Sequence, residues 1–316
     1  MIHIPKLFCP FCCYGFDKRG AGEKKFIKHK LVCEQYGPQR SEVPKEGENF
    51  IKFKQFTKMM KLPFCIYGDF EVIQPKCEPN LKQTNTDKHT KHEASGFTFY
   101  TVSPYFPPNI VTYMGADAGK VFLEKILEEE ERLNILMEET DKEMEMTSKD
   151  KNNFKRAIKC HICEEMFTDE DIKVRDHCHY TGIYRGAAHE KCNLLYRKVK
   201  DIPVFFHNLS GYDGHIIFQN LTKVKDIAEP QVIAKSMEKF VTFSIGNLKF
   251  KDSMNFLNLS LDKLVKNLKS SGDGVFKNLN FYFKDKWGHL PDSAFEMLTR
   301  KGVYPYSYMD SFDRFN

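Results

Sequence analysis

The stretch Phe64–Glu71 reads as a buried β-strand that ends in two carboxylates. Asp69 and Glu71 stand two residues apart, so on a strand they point to the same face. Two carboxylates on one face repel each other unless a cation sits between them. A hard divalent ion such as Mg²⁺ or Mn²⁺, which takes oxygen ligands, suits that place. A second apolar strand, Ile202–Leu209, turns through Ser210–His215 into the helical run Ile216–Leu221. Asp213 therefore lies at a strand-to-helix turn, where a carboxylate can meet a metal held by a neighbouring strand. The cysteines point to different chemistry. Cys9-x2-Cys12 precedes His29-x3-Cys33, and Cys160-x2-Cys163 precedes His189-x2-Cys192. Each set offers four soft or borderline ligands at spacings that suit tetrahedral Zn²⁺.

The pair of carboxylate motifs, Asp69-x-Glu71 and then Asn208-x4-Asp213, resembles the first two motifs of the 3′–5′ proofreading exonuclease of family B DNA polymerases. The likeness is in particular to the protein-primed branch of Maverick/Polinton-type elements and their viral relatives. Asp252-Ser253, Ser260–Leu264 and Lys301–Tyr306 resemble the same branch. The resemblance implies a ribonuclease-H-like α/β (α+β) fold. It makes Asp69, Glu71 and Asp213 catalytic ligands of Mg²⁺ or Mn²⁺, places Asn208 and Tyr212 against a single-stranded 3′ end, and brings a terminal priming protein as partner. That family takes a further carboxylate from a Tyr-x3-Asp helix. The literal match Tyr306–Asp310 directly follows Pro305 in an aromatic run without helical periodicity, so it is set aside and the motif is expected past Asn316. With no polymerase motif present, the chain reads as the N-terminal portion of a longer polymerase that binds single-stranded DNA and degrades it weakly.

The first cysteine cluster, residues 1–40, fits a small ββα zinc finger with Cys9, Cys12, His29 and Cys33 as ligands and Phe16 and Phe26 as its core. Cys13 is a bystander. Lys24, Lys25 and Lys28 lie around His29 on the expected helix, where they either contact nucleic acid or form a solvated face.

The second cluster, residues 156–200, holds Cys160, Cys163, His189 and Cys192, with Asp176-His177-Cys178-His179 between its halves and Asn193 after its last ligand. This segment resembles the recombination endonuclease VII branch of the His-Asn-His nucleases. The motifs that carry the likeness are Asp176–His179, Tyr184–His189 and Cys192-Asn193. By that resemblance Asp176 and Asn193 hold a catalytic cation, His177 deprotonates the attacking water, and His179 orients or ligates. His189 stands where a cysteine is more typical. Arg175 and Arg185 are candidate DNA contacts.

The elements that must position these groups follow from periodicity. Residues 41–62 read as a basic linker in which Lys52, Lys54, Lys58 and Lys61 alternate with Phe53, Phe56 and Met59. Residues 63–155 begin the exonuclease-like domain with a three-strand meander, a polar loop near 74–95 and a helix from Ala116 to about Thr140. Glu128–Glu131 are expected on the solvated side of that helix. Residues 201–316 resume the domain with a strand, a helix, a hairpin-like set and a helix capped by Ser260. Beyond that helix no periodicity is clear. Residues 1–61 carry thirteen Lys/Arg against six Asp/Glu, whereas residues 119–150 carry five against eleven. A basic head suits a polyanion such as DNA, and the acidic middle should face away from it. The Cys-x2-Cys spacing and the lack of a signal peptide indicate a reducing, intracellular and nuclear setting. Three readings compete: the exonuclease region of a polymerase, a structure-directed zinc endonuclease, and a non-catalytic DNA-binding remnant of a mobile element.

Overall fold

A segment of about forty residues has little apolar surface to bury, and its order comes from ligands and turns. In the computed structural model, strand β1 (Lys6–Phe8) pairs antiparallel with β2 (Gly15–Asp17), and helix α1 (Gly22–Tyr36) follows. Helix α1 buries no residue fully. The Phe16 ring lies 5.8 Å from Phe26 and 4.9 Å from His29 on the helix, and the Tyr14 ring lies 6.0 Å from His29. Lys24, Lys25 and Lys28 are exposed along it. Residues 1–54 form one unit and residues 55–316 another. The structure describes residues 6–38, 44–47, 49–51, 55, 59–76, 91–196, 199–236, 239–272 and 274–315. Most of the lysine–aromatic alternation after residue 51, and the centre of the polar loop near 74–95, lie outside the described residues.

The second unit begins with the meander β3 (Cys65–Ile73), β4 (Glu93–Val102) and β5 (Asn109–Met114), followed by helix α2 (Ala118–Glu139). Helix α3 (Ser148–Arg156), the hairpin β6 (Lys173–His177) and β7 (Tyr184–His189), and helix α4 (Glu190–Leu195) come next. The chain then returns to the sheet through β8 (Ile202–Phe206), α5 (Asp213–Asn220), β9 (Gln231–Ala234), β10 (Phe240–Ile245) and β11 (Leu248–Asp252). Helices α6 (Leu261–Lys269), α7 (Lys277–Trp287) and α8 (Asp292–Leu298) close the order. Ser260 caps α6 as expected, its hydroxyl accepting from Lys263 N. Helices α3, α7 and α8 were not legible, because their apolar positions are sparse or aromatic on several sides.

The seven-stranded sheet has the order β5-β4-β3-β8-β11-β10-β9. Its two central seams, β3 with β8 and β8 with β11, are parallel, and the flanking pairs are antiparallel. Parallel neighbours need long crossovers; α2 and the zinc hairpin lie within the first, and α5 within the second. The result is a mixed α/β architecture.

The core forms where α2 lies over the sheet. Phe122, Leu123, Ile126 and Leu133 are fully buried there, among Phe70, Phe97, Phe99 and Phe206. Gly68 makes the centre of the sheet possible: a Cβ there would stand 2.6 Å from Phe206 Cζ. The α2 acids require a correction. Glu129 is buried, accepting from Thr101 Oγ1 at 2.7 Å, Asn109 Nδ2 at 3.0 Å and both donor nitrogens of Arg132. Glu130 Oε1 accepts from Asn247 N at 2.6 Å. Glu129 falls three residues after Ile126 and four before Leu133, on the apolar stripe itself. The spacing outweighed its charge because four donors surround it. No helix among the described residues is long and apolar enough to cross a membrane.

Candidate metal and nuclease sites

Zinc sites are built from thiols that favour their charged form. In the finger, the ligand atoms of Cys9, Cys12, His29 and Cys33 all lie within 4.8 Å of one another, with Cys12 Sγ 3.2 Å from His29 Nε2. Burial raises the Cys9 thiol, but the Phe11 and Cys12 amides bring it down to about 7. Cys13 is exposed, at φ 59°. In the second cluster, Cys160, Cys163, His189 and Cys192 meet the same distance limit. Here too burial opposes and backbone donors prevail, lowering Cys160 to about 7, while burial and the neighbouring thiols lift Cys192 to about 12. One thiol prone to ionise beside one that resists is what four crowded donors show before a cation balances them. His189 offers Nδ1, 3.3 Å from Cys163 Sγ, and its Nε2 lies 3.5 Å from Asp171 Oδ2. Asp171 thus stands beside the imidazole nitrogen that faces away from the cluster, where a carboxylate can orient such a ligand. The donor sets fit zinc, and both clusters can hold it.

Between the halves of the second cluster, β6 and β7 display the residues of the endonuclease-like motif. Residues along β6 alternate, so Val174 and Asp176 share one face and Lys173, Arg175 and His177 the other. Asp176 pairs with Gly186 and His177 with Tyr184, which leaves Arg185 as the extra residue of a bulge. Bulges re-aim side chains. Arg185 accordingly closes a two-point ion pair on Asp176, Nε to Oδ2 at 2.7 Å and Nη2 to Oδ1 at 2.6 Å. His161 Nε2 donates to the same Oδ2 at 2.8 Å. Gly186 makes room for that imidazole, since a Cβ there would stand 2.6 Å from His161 Cγ. Burial would raise the Asp176 carboxyl, but His161 and Arg185 hold it below the usual carboxylate range. Asp176 is thus saturated by protein donors, and Arg185, stacked over Tyr196 at 4.7 Å, is committed to it.

Asp176→Asn should destabilise the hairpin by about 2 kcal/mol, less than a fully buried pair because Arg185 keeps some solvent access. Urea unfolding at pH 7 measures this. The folded Asp176 pKa is depressed, so its contribution is present above the unfolded carboxylate value and is lost as pH falls through the folded one. The difference between wild type and variant should therefore close in acid.

His177 and His179 follow Asp176 with ring centroids 4.6 Å apart. His179 Nδ1 donates to Asp141 Oδ1 at 2.6 Å, which fixes the ring and leaves Nε2 as its other nitrogen. Asn193 sits on α4, directly after the ligand Cys192. Arg175 is exposed and lies over the Phe154 ring at 4.7 Å.

The carboxylate motifs meet at the sheet centre. Asp252, at the end of β11, accepts from Asn208 N, Ser210 N, Ser210 Oγ and Met254 N at 3.0–3.1 Å. This clamp pins the turn after β8, with Asn208 at φ 70°, and so places Asp213 at the start of α5. Asp213 is 3 % exposed, and its Oδ1 has no hydrogen-bond partner. Burial, then the charge of Asp69, pushes its carboxyl up to about 7. Asp69 and Glu71 are exposed on β3, yet the protein around them desolvates and raises both, with Asp69 adding to the rise at Glu71. Tyr212 Oη and His92 Nδ1 share a hydrogen bond at 2.7 Å, and burial followed by Asp213 raises the Tyr212 phenol to about 12. Tyr306 also lies near the charges of Glu71 and Asp69, although 306–308 is a turn rather than a helix and Asp310 pairs with Arg314 at 3.2 Å. The charge of Asp69 thus bears on both Glu71 and Asp213, but the three carboxylates do not meet the ligand spacing that both Cys/His clusters meet.

The family model described as Recombination endonuclease VII matches residues 130–213. No curated protein and no solved structure matches the chain. The matched span takes in the second cysteine cluster, the β6–β7 hairpin, α4 and the Asp141 segment. The likeness to family B polymerases and the priming-protein partner have no counterpart in these comparisons. Sequence reasoning missed Asp141, His161 and Asp171, and it named Asp252 in a motif without its clamp on the turn after β8. Only His161, inside the Cys-x2-Cys loop, carried a visible signal.

Proposed function

We propose that residues 130–213 are a zinc-stabilised endonuclease module that cuts DNA, and that His177 is its general base. The observation that carries this reading is the placement of His177 and His179 together at the end of β6 and just beyond it, within the segment the endonuclease VII family model matches. An imidazole near a phosphodiester can take a proton from water, and a second, held by a carboxylate, can orient the phosphate or protonate the leaving oxygen. The resemblance also assigns a catalytic cation to Asp176 and Asn193. Asp176, with both oxygens engaged by Arg185 and His161, does not fit that assignment.

Purified chain incubated with supercoiled plasmid and with four-way-junction DNA tests the reading. Internal cuts are expected, and His177→Ala should lower their rate at least a hundredfold while leaving the zinc content unchanged. Wild-type protein that leaves both substrates intact across divalent cations would sink the proposal.

A second reading is favoured by the orphaned Asp213 oxygen. Asp69, Glu71 and Asp213 would hold Mg²⁺ or Mn²⁺, which supplies charge stabilisation at a scissile phosphate, and Asn208 and Tyr212 would position a single-stranded 3′ end. The strand order, with an antiparallel meander leading into parallel β3, β8 and β11, supports an exonuclease-like ribonuclease-H arrangement. Shortening of a labelled single strand from its 3′ end, lost in Asp69→Ala but kept in His177→Ala, would assign activity to this site.

A further inference from the structure

The zinc module carries two segments of opposite charge that meet at the Lys159–Met166 bridge. From Cys160 to Ile172 it carries five acids, Glu164, Glu165, Asp169, Glu170 and Asp171, and no Lys or Arg. From Lys149 to Lys159, by contrast, five Lys or Arg stand against one acid, Asp150. That acid is engaged in the capping box of α3, where its Oδ2 accepts from Thr147 N at 2.9 Å and Thr147 Oγ1 at 2.6 Å. Lys151, Lys155 and Arg156 are exposed and, among the described residues, take part in no ion pair.

The basic side is tied to the strand that bears His177. Lys173 Nζ donates to the Lys155 and Ala157 carbonyls at 3.4 and 3.2 Å, which fastens the end of α3 to β6. Phe154 of α3 lies beneath both Lys173 and Arg175, at 5.2 and 4.7 Å from its ring centre. Arg175 and His177 share a face of β6. Positive charge therefore continues from α3 over Phe154 to the imidazole.

We propose that this face is the DNA-backbone track of the module: phosphates lie along Lys151, Lys155, Arg156 and Arg175 and lead the strand to His177. The inference rests on the endonuclease reading for its destination but makes a claim about binding alone. An unpaired cluster of cations held by a capped helix and a cation–π platform is suited to a polyanion, because no internal carboxylate competes for it.

The test measures Kd for junction DNA against salt with the full chain, with Lys151→Ala/Lys155→Ala, and with Asp169→Asn/Glu170→Gln. Alanine suits an exposed helix, and circular dichroism with zinc content checks folding. The lysine variant should bind about tenfold more weakly at low salt and lower the slope of log affinity against log salt by about two units, near 0.9 for each phosphate no longer neutralised. The acid variant should bind as well as wild type or more tightly. An unchanged affinity and slope in a folded lysine variant overturns the track, as does wild type that fails to bind. Cleavage with an unchanged slope overturns the track and leaves the nuclease reading standing. A lowered slope without cleavage by wild type upholds the track and removes the nuclease.

Discussion

Replacing Cys160 and Cys163 by Ser, or stripping zinc with a chelator, should unfold the hairpin and α4 while the seven-stranded sheet stays folded. The small core beneath β6 and β7 consists of Cys160, Ile162 and Ala188, joined by Cys163, Phe167, Val174, Cys192 and Tyr196. Three metal ligands are thus themselves part of that core. Removing the ion leaves crowded thiols in place of a cross-link between the Cys160 turn and α4. Structural zinc contributes about 10–16 kcal/mol of apparent binding free energy in small finger domains, more than so few apolar side chains can replace. Amide hydrogen exchange should show residues 158–196 losing protection, with β3, β4 and β8 retaining theirs. Metal analysis should return two zinc ions per chain, one for each cluster. Full protection of the hairpin in zinc-free protein would show that its fold does not depend on the ion.

Asp213→Asn should stabilise the protein at pH 8 by up to about 4 kcal/mol, and hardly at all at pH 4. The folded carboxyl sits at about 7 against an ordinary 3.8, so the native state binds an extra proton between those values. Stability therefore falls as pH rises across that interval, by about 1.4 kcal/mol for each unit of separation. The amide carries no charge to bury and does not repel Asp69. Mg²⁺ or Mn²⁺ should raise the melting temperature of wild type at pH 8 and leave that of the variant nearly unchanged. The readout is thermal melting across pH 4–8 with and without the cation. Parallel curves for the two proteins would show that Asp213 is solvated and that the three carboxylates do not form a closed site.

Legibility differed by the kind of pattern. Both Cys/His clusters could be read because zinc imposes ligand types and short spacings that survive in one dimension. The strand that carries Asp69 and Glu71 and the strand-to-helix turn at Asp213 could be read because alternation and turn residues mark such elements. What stayed hidden depends on partners far apart in the chain. Asp252 clamps a turn more than forty residues before it, and Asp141 fixes His179 from the end of α2. The pair of Arg185 with Asp176 exists through a bulge that alternation alone would not foresee. Glu129 shows the opposite error, since its place on the apolar stripe was visible and its charge was given too much weight.

The central parallel seam also dictates an order of events during synthesis. Strand β3 finds its antiparallel partner β4 soon after emerging, yet its other edge waits for β8, with Ile66 pairing to Val204 and Tyr67 to Phe205. The whole zinc hairpin must be made before that pairing can close, and long-range pairings of this kind form late. Until then the nascent chain presents an open strand edge beside Ile66 and Phe70, a template for pairing with other chains. A ribosome-stalled product ending before Ile202 would carry that edge permanently. Zinc supply during translation then bears on solubility as well as on the finished fold, because a hairpin closed early around its ion brings α4 and the start of β8 toward the waiting edge.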